Sequence, residues 1–84
     1  MFEIYRESAY NKKYRVVYFT ELGDHDKDKE ISRALAGDHV FDGFLDSQKR
    51  RDAKKTIAEL LERLNDGDAL TRHEIGAELE PFLA

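Results

Sequence analysis

The chain has 84 residues, no cysteine and a formal net charge of −4. A chain of this length forms one compact domain, residues 1–84, with a single small core. Its hydrophobic content of 40% exceeds that of a disordered chain, and without cysteine neither disulfides nor thiolate chemistry are available. The first residues lack a signal-peptide pattern, and the longest apolar run, residues 16–19, cannot cross a bilayer, so we expect a cytoplasmic protein without a membrane segment.

The charge is distributed unevenly along the chain. Residues 1–23 sum to +1, residues 24–46 to −4 and residues 47–84 to −1. Proteins that bind nucleic acids over a broad surface usually carry an excess of basic residues. The overall acidity therefore argues against a general nucleic-acid-binding protein and directs attention to local basic clusters.

Two strands are predicted near the start, in residues 2–10 and 13–21. Both segments are dense in aromatic and β-branched residues, which favour strands. The polar residues 11–13, Asn-Lys-Lys, fit a tight hairpin connection in which Asn11 tolerates a positive φ. Apolar side chains occur at both odd and even positions of the second strand. The pattern therefore leaves open which face is buried, and a shift of one residue would exchange the faces.

An acidic stretch, Gly-Asp-His-Asp-Lys-Asp-Lys-Glu at residues 23–30, precedes the first predicted helix. Asp24, Asp26 and Asp28 match the first, third and fifth positions of an EF-hand loop, but a lysine and a leucine replace the glycine and glutamate that the loop requires later. We interpret the stretch as a helix start in which Asp26 or Asp28 is the N-cap and the acids complement the helix dipole. Gly37 is placed to end this helix with a positive φ.

A third strand is predicted in residues 39–46, which are short, apolar and bounded by aspartates. In this strand Gly43 would mark a bulge or a close approach of the backbone. The alternative is a miniature hairpin turned by Asp42 and Gly43. Its arms would have only about three residues each, which is shorter than most strands, so we favour the single strand.

The clearest helix is predicted for residues 47–67. Ser47 is placed to cap its start and Gly67 to close its end. A helix with one apolar stripe packs that side against a core. The stripe consists of Ala53, Ile57, Leu60, Leu61 and Leu64.

A last helix is predicted to begin after Thr71. Thr71 and Glu74 have the spacing of a capping box, and Leu70 with Ile75 has the spacing of the hydrophobic staple around it. Pro81 should stop or kink this helix, because proline removes a backbone donor and disfavours helical geometry at the preceding residue.

Residues 69–79, Ala-Leu-Thr-Arg-His-Glu-Ile-Gly-Ala-Glu-Leu, resemble the opening helix of helix-turn-helix domains. In those domains a capped Leu-Thr-x-x-Glu run leads into the turn before the recognition helix. Pro81 and the last residue, Ala84, follow closely, so we expect no recognition helix and assign no base-contacting residue.

Together these elements predict the order ββαβαα. The fold class is α+β, with a small three-stranded sheet, antiparallel or mixed, and helices packed on one face. No internal repeat, low-complexity tract or glycine- and proline-rich linker divides the chain. We therefore predict one domain with one sheet.

Patterns that indicate catalysis or metal binding are not found in the sequence. The three histidines, His25, His39 and His73, lack the spacing of metal ligands on one helix. There is no glycine-rich phosphate loop, no nucleophile elbow, and no carboxylate pair that stands out among the eighteen acids. We therefore expect no enzymatic activity, no metal and no cofactor.

The long helix carries its charges in the order that a helix dipole disfavours, with bases at the start and acids in its second half. Two structural explanations are open. The face is solvated and supported by i, i+4 pairs such as Lys55–Glu59, or the acidic residues 24–46 neutralise it within the fold. A third explanation is a contact surface for an anionic partner. We call these bases the basic cluster: Lys49, Arg50, Arg51, Lys54 and Lys55.

The tyrosines of the predicted hairpin are the second candidate feature. Not all four can be buried with the neighbouring apolar residues, and surface tyrosine is favoured at interfaces, although some could simply cover a sheet edge. We therefore predict a small binding module, a protein-interaction or regulatory subunit whose partner has an acidic surface. The alternative is a nucleic-acid-binding protein that uses the basic cluster. The candidate partner-binding residues are Arg51, Lys54, Lys55, Arg50, Lys49, Tyr5, Tyr14 and Tyr18.

Overall fold

The computed structural model describes residues 1–8 and 13–84. The predicted order ββαβαα and the α+β class are confirmed, with a short 3₁₀ helix, Glu80–Phe82, after the last α-helix. The elements are β1 (Phe2–Arg6), β2 (Tyr14–Tyr18), α1 (Asp24–Ala36), β3 (Asp38–Gly43), α2 (Arg50–Asn65) and α3 (Arg72–Leu79).

The three strands form one antiparallel sheet in the order β2-β1-β3. In the pairing of β1 with β2, Phe2 lies opposite Tyr18 and Arg6 opposite Tyr14. The predicted hairpin turn at Asn11 lies outside the described residues. Because β1 is central, β2 and β3 both lie at edges of the sheet.

One face of the sheet carries the larger core. Phe2 and Ile4 of β1 are completely buried there, and Phe41 of β3 joins them. Alternate residues of a strand point to opposite faces, so these side chains share one face. They pack against α2 and α3, whose buried members are Ile57, Leu60, Leu64, Ile75 and Leu79. The predicted apolar stripe of α2 is therefore confirmed as its core face.

The opposite face carries a second, smaller core, and this corrects one expectation. Tyr5 and Val17 are buried on that face together with Ala34 of α1, and Phe19 and Leu22 pack around them. The helices therefore cover both faces of the sheet, α2 and α3 on one side and α1 on the other. The expectation of helices on one face is wrong because β1 and β2 bury side chains of both parities.

The segment after α1 is a single strand, as favoured above, and no miniature hairpin forms at Asp42 and Gly43. The irregularity in its pairing with β1 lies at Val40, between the partners of Ile4 and Tyr5, and not at Gly43. Instead, Gly43 marks a close approach of the backbone to neighbouring side chains. A Cβ there would lie 3.1 Å from Leu83 and 3.2 Å from the Phe2 ring.

Two of the predicted N-caps are wrong. The acidic stretch is a helix start, but α1 begins at Asp24, so its N-cap is Gly23 and Asp26 lies inside the first turn. Asp28 lies further inside the helix. The helix α2 begins at Arg50 after Lys49, which makes no side-chain cap, and Ser47 lies in the preceding turn. Both helices thus start without the hydrogen bond of a capping side chain.

The start of α3 and the end of α2 agree with the sequence. The Thr71 hydroxyl accepts from the Glu74 N–H at 3.1 Å, and the Glu74 carboxylate accepts from the Thr71 N–H at 3.3 Å, so both halves of the capping box are formed. Gly67 follows α2 with a φ of 103°, which glycine adopts readily. Gly37 ends α1 as predicted, but the prediction of a positive φ is wrong, because its backbone is extended with a φ of −96°. At Pro81 the α-helix gives way to the 3₁₀ helix.

Removing the capping oxygen should destabilise α3. Thr71→Ala leaves the Glu74 N–H without its acceptor and should lower the free energy of unfolding by about 0.5–2 kcal/mol in urea titrations. Asp68→Ala is the matched control, because it removes only an exposed ion pair with Arg63, at 3.3 Å, and should cost less. Equal losses in the two variants would contradict the assigned helix start.

The junction between α1 and β3 should tolerate no side chain. At Gly37 a Cβ would overlap the backbone carbonyl of Arg6, so Gly37→Ala should cost roughly 1–3 kcal/mol by forcing the chains apart. At Gly23 the same added atom meets nothing within 4 Å, and Gly23→Ser should stabilise slightly because it supplies the missing cap of α1. Thermal melts of the two variants should shift in opposite directions.

Candidate functional site

The basic cluster at the start of α2 is divided among three environments. Lys54 donates to both carboxylate oxygens of Glu21, at 2.7 and 2.6 Å, and Arg50 pairs with the same carboxylate at 3.0 Å. Lys49 points the other way and donates to the Pro81 carbonyl at 3.0 Å. The hydrogen bond from Lys54 holds the pKa of the Glu21 carboxyl below its usual value. Internal neutralisation therefore occurs, but through Glu21 and not through the acidic residues 24–46.

Arg51 and Lys55 form the outer part of the basic cluster. Both are exposed, and in the described part of the chain neither makes an ion pair. They are one turn apart on the helix, and Arg51 is also one turn from Lys54. These two cations are therefore available to a partner.

The tyrosines are placed differently from one another. Tyr18 is half-buried, stacks on Phe2 with ring centres 6.3 Å apart and lies under the Lys54 ammonium, which is 4.8 Å from its ring centre. Tyr14 is half-buried near the other end of α2. Tyr5 is completely buried, and its hydroxyl donates to Glu30 at 3.1 Å. Its ring is not on the surface, so we withdraw Tyr5 from the candidate partner surface.

The outer edge of β2 is partly open. The Glu7 N–H donates to the Lys13 carbonyl and the Phe19 N–H to that of Met1, so the odd residues of β2 face β1. The backbone groups of Tyr14, Val16 and Tyr18 consequently point away from the sheet. The Tyr18 carbonyl accepts from the Glu21 N–H at 3.2 Å.

Asn65, the last residue of α2, occupies one end of this edge. Its side-chain oxygen accepts from the Tyr14 N–H at 2.8 Å, and its side-chain nitrogen donates to the Tyr14 carbonyl at 3.2 Å. An amide side chain thus satisfies both backbone groups as a neighbouring strand would. Within residues 1–8 and 13–84, no partner satisfies the N–H and carbonyl of Val16 or the N–H of Tyr18.

A surface depression of about 610 Å³ runs along this edge, and we call it the β2 trough. Its floor is β2, one wall is α1 and the other is the end of α2, represented by Leu61 and Asn65. Apolar lining comes from Val16, Leu22 and Leu61 and from the tyrosine rings. The charged lining residues are four cations, Lys13, Arg15, Lys29 and Arg33, and three acids, Glu21, Asp26 and Glu30.

Comparison of the chain with protein-family models, with curated proteins and with solved structures found no significant match. Among the described residues, no group of three or more histidine, aspartate or glutamate side chains is arranged to hold a metal ion. No described helix combines the length and apolar composition needed to cross a membrane.

The structure brings Tyr18, Arg50 and Lys54 together around Glu21 and places Tyr14 at the other end of β2, against Asn65. Arg51 and Lys55 lie on the exposed surface of α2. Sequence reasoning missed Glu21, which pairs with Lys54 across 33 positions, and Asn65, which pairs with Tyr14 across 51. No local signal identifies either pairing.

The two neighbouring cations Arg51 and Lys54 should respond differently to charge reversal. Lys54→Glu places a second carboxylate beside Glu21 and should cost roughly 1 kcal/mol at low salt, less at high salt because ions screen the repulsion. Arg51→Glu makes the same charge reversal in the first turn of the same helix. It should leave the free energy of unfolding unchanged or raise it slightly, since the helix dipole favours acids at a helix start. Urea melts at both salt concentrations measure this difference, and equal losses would contradict the pairing with Glu21.

Two tyrosines should titrate late. Burial, reinforced by Glu30, raises the pKa of Tyr5 to about 12, and burial with Glu21 raises the pKa of Tyr18 to about 12. A tyrosine in the unfolded chain ionises at pH ~10. The stability that the raised pKa values of Tyr5 and Tyr18 contribute is therefore complete below that pH and is lost as the pH rises towards 12. Ultraviolet titration of the phenolates should show this, with Tyr5→Phe and Tyr18→Phe each removing one late step.

Proposed function

We propose that this chain is a protein-binding module of the cytoplasm, an interaction or regulatory subunit, and that its partner docks in the β2 trough. The observation that carries the proposal is the open edge of β2 between two helical walls. Unpaired backbone groups at a sheet edge attract another chain, and folded proteins usually cover or blunt them. Here no described residue covers the backbone groups of Val16.

The lining of the trough supports a protein partner. Apolar surface from Val16, Leu22 and Leu61 lies beside charged groups, and tyrosine rings contribute large, rigid contact area. A mixture of this kind is typical of the centre and rim of protein interfaces. The exposed cations Arg51 and Lys55 lie on α2 outside the lining of the trough, and a partner that also reaches them is favoured by an acidic surface.

Binding without catalysis is the function that this geometry supports best. The strongest perturbations of pKa fall on Tyr5 and Tyr18, and their causes, burial and a neighbouring carboxylate, arise from packing and a surface ion pair. The described partner of the Tyr5 hydroxyl is the Glu30 carboxylate, which also pairs with Arg33, so this contact belongs to the packing of α1 on the sheet. We therefore propose that the protein acts through its contacts and carries no reaction or cofactor.

A second candidate is binding of nucleic acid by the outer part of the basic cluster. The observation that favours it is the exposure of Arg51 and Lys55 without acidic partners in the described residues. Phosphate contacts lose affinity steeply as salt rises, whereas contacts through tyrosine and apolar surface are less sensitive. Salt dependence of binding separates the two candidates.

Site-specific photocrosslinking in native-host cells tests the proposal. Benzoylphenylalanine in place of Lys29, on the α1 wall of the trough, should crosslink one defined protein. The same group in place of Glu78, on the exposed side of α3, is the matched control and should not crosslink that protein. A third position, Arg51, reports on the basic cluster.

The outcomes separate the candidates. A protein captured from position 29 and not from Glu78 supports docking in the trough. Nucleic acid captured from Arg51, with no protein from Lys29, would establish the second candidate in place of the first. Equal capture of many proteins at all three positions would contradict a specific site.

A further inference from the structure

We infer that the partner in the β2 trough is a second copy of this chain, which pairs its own β2 edge with that of the first in antiparallel orientation about a twofold axis. This inference rests on the proposed function and names its partner. It is carried by the free backbone groups of β2, by the position of Asn65, by the charges that line the trough and by the charge order of α2.

The free backbone groups of β2 complement themselves in one register. The N–H and carbonyl of Val16 and the N–H of Tyr18 point outward without a partner in the described residues. When an antiparallel copy is placed with Val17 on the twofold axis, Val16 of each copy lies opposite Tyr18 of the other, and the two residues exchange both main-chain hydrogen bonds. The Tyr18 carbonyl can accept a second bond besides that from the Glu21 N–H, because it has two lone pairs. All the free groups are then satisfied, and no existing bond is broken.

Asn65 excludes the neighbouring register. Its carboxamide occupies the outward N–H and carbonyl of Tyr14, at 2.8 and 3.2 Å. In the register centred one residue earlier, Tyr18 of the copy would need that space. With Val17 on the axis, Tyr14 instead lies opposite Thr20 of the copy, beyond the end of β2. The pairing is therefore short, and an Asn65 side chain bounds it at each end.

The charges that line the trough complement themselves as well. Most of them are engaged within the chain: Arg15 pairs with Glu7, Arg33 with Glu30 and Glu21 with Lys54, and Lys13 has a partner too. The remaining lining charges, Asp26 and Lys29, have opposite signs and lie one turn apart on α1. Neither an acidic nor a basic partner matches both of them. A copy of the same surface turned by 180° carries both signs, as a self-complementary twofold interface requires.

The charge order of α2 becomes favourable in the same arrangement. The Lys54 ammonium lies over the Tyr18 ring and the Asn65 side chain meets Tyr14, so α2 runs antiparallel to β2. The twofold axis reverses the direction of the helix in the second copy. The basic start of one α2 consequently faces the acidic second half of the other.

Arg51 and Glu62 are the charges that this arrangement brings together. Lys54 and Asn65 reach opposite ends of β2, so the axis passes near the middle of α2, and Arg51 and Glu62 lie at nearly equal distances on either side of it. Both are exposed, and the ion pairs of α2 among the described residues involve other side chains. Arg51, Ala58 and Glu62 precede Asn65 at intervals that place them on its side of the helix. The small, exposed Ala58 lets the two helices approach.

Other occupants lack one of these matches. A peptide with charges of one sign complements only one of the two remaining lining charges. Single-stranded nucleic acid would use tyrosine rings for stacking, but the Tyr18 ring is already stacked on Phe2 and covered by Lys54. Both occupants are outcomes of the experiments below.

Exchange of charges between two variants tests for the second copy. Analytical ultracentrifugation of the full chain should show a monomer of 9.8 kDa that becomes a dimer as concentration rises. Arg51→Glu and Glu62→Lys should each weaken the dimer by roughly tenfold, because each places like charges opposite one another at both ends of the interface. An equimolar mixture of the two variants should restore dimerisation, since both contacts then join opposite charges. Glu78→Lys, on the exposed side of α3, is the matched control and should leave the dissociation constant unchanged.

Single cysteines test the register, because the chain has none of its own. Val17→Cys places two thiols across the axis at a non-hydrogen-bonded pair, whose Cα atoms are about 4.5 Å apart, and should form a covalent dimer with an added oxidant. Val16→Cys is the matched control and should not, because its thiol meets its copy only diagonally, at about 7–8 Å. Thermal melts at low concentration check the folding of each variant. If Val17→Cys does not fold, the charge exchange decides.

The outcomes distinguish this inference from the proposed function. Capture of this chain itself from position Lys29, in the crosslinking experiment above, supports the second copy. A chain that stays monomeric at millimolar concentration, or a dimer that the mixed variants fail to restore, overturns it, and a different protein captured from Lys29 would still support docking in the trough. Shifts of the Val16 amide with an acidic peptide or with oligothymidine, in a chain that stays monomeric, would replace the copy with that occupant.

Discussion

The structure depends on a single strand, β1, that is buried on both faces and paired on both edges. Phe2 and Ile4 belong to one core and Tyr5 to the other, and all three are completely buried. A three-stranded sheet has only one strand in that position, so both layers of helices are positioned relative to it. Because Tyr5 is the polar member, its hydroxyl needs a partner, and Glu30 on α1 supplies it at 3.1 Å. This hydrogen bond helps to hold α1 against the sheet, because α1 itself adds little buried apolar surface to the smaller core.

The two edges that flank β1 are treated differently. Beyond β3, residues 82–84 pair with residues 44–46, as the Asp46 N–H donates to the Phe82 carbonyl and the Ala84 N–H to that of Phe44, both at 2.8 Å. Val40 interrupts the regular pairing of β3 and Arg72 ties α3 to Asp42 at 2.8 Å. Irregular pairing and covering segments are the usual means of blunting an edge. At β2, within the described residues, the Asn65 side chain meets the outward groups of Tyr14 and the Glu21 N–H meets the Tyr18 carbonyl.

Features that depend on residues close together in the sequence could be predicted, whereas features that depend on distant residues could not. The element order, the stripe of α2 and the capping box at Thr71 were predictable because periodicity and caps act within a few residues. The faces of the sheet were not, since both parities of β1 and β2 carry apolar side chains and only the tertiary packing decides between them. The partners of Lys54 and Tyr14, 33 and 51 positions away, were beyond any local rule. Of the predicted candidate residues, Tyr14 and Tyr18 line the trough, and the rest of its lining is brought together by tertiary packing alone.

The charge order of α2 has a physical explanation in this arrangement. Bases at a helix start cost some dipole energy, but Arg50 and Lys54 recover it at Glu21, whose carboxylate lies in the turn that follows β2. The same cations stand beside the open edge. Charged side chains beside an edge strand are one of the means by which folded proteins disfavour indiscriminate pairing between edges. The Glu21 ion pairs therefore link two features of the molecule, the charge order of α2 and the surroundings of the β2 edge.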